Sequence, residues 1–103
     1  MKILSKSEIF SRQYRRSARR AKYLAQNVFL DYVTSRHASF IVVDDLKGRR
    51  HIVLYRSDKP IKWSCDCKWY STKLRFCAHI LAVNLRLNLD DELRMKIEKN
   101  LKE

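Results

Sequence analysis

The chain has 103 residues, 46% of them apolar and 11% aromatic, enough for one domain with a buried core and too apolar for a disordered segment. Its 23 basic and 11 acidic side chains leave a formal charge of +12, a field that suits a polyanion, of which nucleic acid is the commonest inside a cell. No apolar run is long enough to span a bilayer and no cleavable leader precedes Lys2, so an intracellular protein without membrane attachment is expected.

Ser5-Lys6-Ser7-Glu8 fits a capping box, and a helix over about residues 6–26 follows, with no Gly or Pro inside it. At helical spacing Phe10, Tyr14, Ala18, Ala21 and Ala25 share one side, and Arg12, Arg15, Arg16, Arg19 and Arg20 the other. From Arg12 to Lys22 there is no acid. A solvated face would normally interleave glutamates as i,i+4 partners. Stacked like charges repel, and a row of phosphates relieves that repulsion. Phosphate contact and a plain solvated surface are the two readings.

Residues 27–35 are rich in β-formers and read as a strand, with continuation of the helix as the alternative. A turn at Arg36-His37 leads to a second strand at 39–43. Residues 44–48 then form a turn that ends in Gly48, the only glycine. Residues 49–56 alternate as a third strand, and Ser57 to Pro60 make the next turn. A short strand at 61–64 follows. Residues 76–87 read as a helix, and Asp90 is a good N-cap for a last one over about 90–102. In that last helix Leu93, Ile97 and Leu101 form a row that serves either as core or as a docking edge for a second subunit or partner protein.

All three cysteines lie between the fourth strand and the helix that follows, as Cys65-x-Cys67 and Cys77-x-His79. Three thiols and an imidazole are the four ligands of a closed tetrahedral Zn²⁺ site, one structural ion with no position left for water. Inert core thiols are the alternative, against which the two C-x-[CH] pairs stand, and the odd thiol count and the absence of a secretory leader argue against a disulfide. The short spacing suits a single ion better than an iron–sulfur cluster. Cys77 and His79 are two apart and cannot share a helix face, so the expected place for His79 is the first turn of the helix.

Trp63-Ser64-Cys65-Asp66-Cys67 and Cys77-Ala78-His79-Ile80-Leu81-Ala82-Val83 resemble the SWIM zinc finger over about residues 50–87. Lys68 stands where many relatives have proline, which changes the stiffness of the turn and removes no ligand. The resemblance implies a small ββα zinc module, found in transposases, Swi/Snf-type ATPases, kinases and recombination factors, that binds DNA or proteins.

The segment between the two ligand pairs carries Lys68, Lys73 and Arg75 together with Trp69 and Tyr70. Cations interleaved with aromatics suit a nucleic-acid strand; alternatively Trp69 shields the zinc and Tyr70 packs on the sheet. A single glycine excludes a Gly-rich phosphate loop. The acid pairs Asp44-Asp45 and Asp90-Asp91 are explained by a turn and a helix start, and His37 and His51 read as surface or packing residues. No catalytic group emerges, and no small-molecule substrate is expected.

The expected fold is α+β: an N-terminal helix, an antiparallel meander of three to four strands, the zinc site leading into a helix, and a C-terminal helix. The expected function is non-enzymatic binding of nucleic acid, DNA before RNA and with low sequence specificity, through Arg12, Arg15, Arg16, Arg19, Arg20, Lys22, Lys68, Trp69, Lys73 and Arg75. The alternative is a protein-interaction adaptor in a DNA recombination, repair or transposition complex.

Overall fold

The computed structural model describes residues 1–44, 46, 48–73 and 75–102. It is α+β, with helices α1 (Lys6–Ile9), α2 (Arg15–Leu24), α3 (Lys68–Lys73), α4 (Ala78–Leu89) and α5 (Asp91–Asn100), and strands β1 (Val28–Val33), β2 (His37–Asp44), β3 (Arg49–Arg56) and β4 (Trp63–Cys65).

The capping box is present: Ser5 Oγ accepts from the Glu8 N–H at 3.2 Å, and Glu8 Oε1 accepts from the Ser5 N–H at 3.1 Å. The helix it starts does not run on to residue 26. It stops after Ile9, a 3₁₀ turn covers Arg12–Tyr14, and α2 begins at Arg15. The reason is geometric. At about 100° per residue, Ile9 and Ala18 lie on opposite sides of a straight helix, yet Ile9 is fully buried and Ala18 nearly so. The chain breaks at Ser11, which adopts the extended conformation of an N-cap, and both residues then reach the core. Phe10, which a straight helix would set on the side opposite the arginines, is left 44% exposed, with Lys22 Nζ 5.4 Å from its ring centroid.

A second 3₁₀ turn, Ala25–Asn27, ends α2, and the β-rich stretch that follows is β1 rather than more helix. The four strands form one antiparallel sheet in the order β1-β2-β3-β4. Gly48, with φ +61°, enters β3, a conformation that costs glycine little. Asp45 and Lys47 of the predicted turn, like Leu74 and Glu103, lie outside the described residues.

Strand register sorts the side chains. Leu30, Phe40, Val53 and Cys65 form one cross-strand row, and Ala38, Tyr55 and Trp63 the next. These residues turn toward the helices and are buried, apart from the half-buried Leu30. Tyr55 and Trp63 pack edge to face with centroids 4.8 Å apart.

Helix α4 is the centre of the molecule. Residues 78–85 are all buried, so its apolar surface wraps the full circumference rather than forming the expected stripe. Helices α1, α2 and α5 and all four strands pack around it. Asn84, fully buried, accepts from the Leu4 N–H at 2.8 Å and donates to Ile80 O at 2.9 Å, which satisfies its amide.

Asp90 caps α5 through the Leu93 N–H at 3.0 Å. The row expected on this helix turns inward: Ile97 and Leu101 are buried and Leu93 is half-buried against the core. Of its two readings, core is the one that the packing follows. No helix among the described residues is long and apolar enough to cross a membrane.

Candidate metal centre and basic cleft

Three elements deliver the four donors. Cys65 ends β4, on the inward row beside Val53. Cys67 immediately precedes α3, where its Sγ accepts from the Tyr70 N–H at 3.4 Å. Cys77 is the N-cap of α4, and His79 lies in the first turn of that helix. Two helix N-termini therefore meet at the cluster, and the positive ends of their dipoles favour thiolate there.

The three Sγ atoms and a ring nitrogen of His79 all lie within 4.8 Å of one another. His79 Nδ1 is 3.7 Å from both Cys65 Sγ and Cys77 Sγ. Ligands on a tetrahedron with bonds of about 2.3 Å to sulfur and about 2.0 Å to nitrogen are separated by roughly 3.5–3.8 Å along its edges. The donors are therefore spaced to bind one zinc ion, and they are the three thiols and one imidazole of a closed structural site.

Charge gives the same answer. Cys77 is held down to about 4, chiefly by the hydrogen bond from the Cys65 thiol and then by that from His79. Cys65 is pushed up by its hydrogen bond to Cys77 and by burial, and Cys67 is pushed up by burial. Without a cation, one sulfur in the cluster carries the charge and its neighbours stay protonated. A bound dication would let all three ionise together.

Two side chains brace this cluster that the sequence did not mark. Asp66, between the paired cysteines, accepts from the Ile52 N–H at 3.1 Å and meets His51 Nδ1 at 3.3 Å. His51 in turn stacks on His79, with centroids 4.0 Å apart. His79 Nε2 is buried with no hydrogen-bond partner among the described residues. Its ring is thus oriented by stacking on His51, the outer contact that a metal-bound imidazole usually finds in a hydrogen-bond acceptor. His51 was legible in principle, because alternation places it on the same face of β3 as Val53 and Tyr55.

Beside the cluster opens a cleft of about 280 Å³. Cys67, Cys77 and His79 form part of its lining, with Arg16 and Arg20 from α2, Arg49 from β3, and Lys68 and Trp69 from α3 around them. Arg20 is held by the buried Asp44 carboxylate at 2.6 Å. Among the described residues Arg16, Arg49 and Lys68 have no ion-pair partner. Arg49 was not singled out in the sequence, although it shares the inward face of β3 with His51.

The remaining predicted contacts fall elsewhere. Arg12, Arg15, Arg19, Lys22, Lys73 and Arg75 are exposed and do not line the cleft. Tyr14 stacks on Phe76 at 6.1 Å, which ties the start of α2 to the strap before α4. Tyr70 is half-buried and donates to Trp63 O at 3.2 Å, so it packs, whereas Trp69 keeps 43% of its surface exposed.

Residues 49–88 match the family model of the SWIM zinc finger, a span that contains all four donors. No curated protein and no solved structure matches the chain.

Proposed function

From a SWIM-type zinc module with clustered cations beside its metal cluster, we propose that this protein binds nucleic acid, DNA in the first instance, with little sequence preference. The observation that carries the reading is the cleft, where Arg16 and Arg49, distant in sequence, converge with Lys68 and Trp69. Three cations with no acidic partner among the described residues repel one another, and phosphates relieve that cost. Arg12, Arg15 and Arg19 extend the positive surface along the exposed side of the N-terminal segment, and Lys73 and Arg75 add to it from the zinc loop. The zinc ion has a mechanical part: it fixes the start of α3 against β4 and α4, so that Lys68 and Trp69 keep their places.

Affinity then comes from phosphate neutralisation, which carries no sequence information, so sequence is read weakly. A titration of labelled DNA across salt concentrations tests this. Affinity should fall steeply with salt, and Arg16→Glu with Lys68→Glu should weaken binding and flatten the salt slope by about one for each phosphate no longer neutralised. Binding that ignores salt, or a double variant that binds like the parent, contradicts the proposal.

A second reading, an adaptor in a DNA recombination or repair complex, draws on the opposite face of the sheet. There Phe29, Ile41 and Ile52 align in register, with Phe29 54% exposed. Ile41→Asp leaves DNA binding unchanged under both readings; loss of a co-purifying protein in that variant alone favours the adaptor.

A further inference from the structure

Resting on the nucleic-acid reading, we propose that the cleft holds one unpaired nucleotide of a single strand, with its base stacked on Trp69 and its phosphate among Arg16, Arg49 and Lys68. Size comes first. At about 280 Å³ the cavity lies just below the roughly 300–1,000 Å³ typical of small-ligand clefts. It admits one unit of a polymer and excludes a two-stranded helix, whose bases keep their faces covered by their neighbours.

Chemistry comes second. Trp69 is the Trp, Tyr or Phe of the lining, and it remains 43% exposed although it starts from a helix packed on the metal cluster. An indole face offered beside cations is the pairing that single-strand binders use, since every base has a π-face and every linkage a phosphate. The charges also assign an orientation. Three thiolates around one dication leave the metal cluster with a net charge of −1, so a neutral base belongs over it. The phosphate belongs with Arg16, Arg49 and Lys68, which have no ion-pair partner among the described residues, whereas Arg20 is already neutralised by Asp44.

The test uses zinc-loaded full-length protein, an oligothymidylate of about ten nucleotides, a hairpin duplex of equal phosphate count, and an oligoglutamate peptide of equal charge. The strand should bind more tightly than the duplex or the peptide. It should also quench the emission of Trp69, since Trp63 is buried at 4% exposure. Trp69→Ala should lower strand affinity about 5- to 150-fold, the factor expected from losing one base–aromatic stack, and leave duplex affinity within about twofold. Trp69→Phe should keep most of the strand affinity. If strand and duplex bind alike with no quenching and both Trp69 variants match the parent, or if the peptide competes as well as the strand, the cleft assignment is overturned while phosphate binding stands. If no nucleic acid binds even at low salt, the broader reading fails first, and this one with it.

Discussion

At the cluster, the decisive residues are three sulfurs that cannot all ionise without a cation. Cys77 is already a thiolate above about 4, while Cys65 and Cys67 are pushed above the ordinary thiol value of 9.0. In that window the folded, metal-free cluster holds two protons that zinc must displace. Zinc affinity should therefore rise with pH, and fall as pH drops because protons then compete for the two raised thiols. Measured by chelator competition between about pH 5 and pH 8, log affinity should climb with a slope of at least two, since any proton on the His79 ring adds to those on the two raised thiols. A slope near zero would mean that the thiols are not ligands.

At the scale of elements, what could be read in advance divides along physical lines. Capping and periodicity are local, so the Ser5–Glu8 box, the strands and the Asp90-capped helix were all legible. The break before α2 was not, because nothing within residues 6–26 disfavours a continuous helix; what breaks it is the burial of Ile9 on one side of the helix and Ala18 on the other. Helix α3 was missed for the opposite reason. Residues 68–73 have no apolar period, and the turn is stabilised by Cys67, whose Sγ and carbonyl accept from the Tyr70 and Ser71 amides. One substitution separates the broken helix from a straight one. Ile9→Ala should cost roughly 2–5 kcal/mol of unfolding free energy in a denaturant titration, the range for truncating a core side chain. A straight amphipathic helix with Ile9 in solvent would give a change near zero.

Over the whole molecule, the four metal donors lie within fifteen residues of sequence and were plain from their spacing. The cleft draws on α2, β3 and α3, and no local pattern announces that Arg16 and Arg49 meet. Only the strand register and the packing of α2 against α4 bring them to one place. The ion links the two levels, because its four ligands come from β4, the entry to α3, and the first residues of α4. A chain of this size gains much of its stability from such a staple. Zinc content is therefore the most direct measurement of the central claim. Elemental analysis of purified native protein should give one zinc per chain, and Cys77→Ser should lose the metal and with it most of the folded population. Less than half an equivalent in the native protein, or a full equivalent retained by the variant, would contradict it.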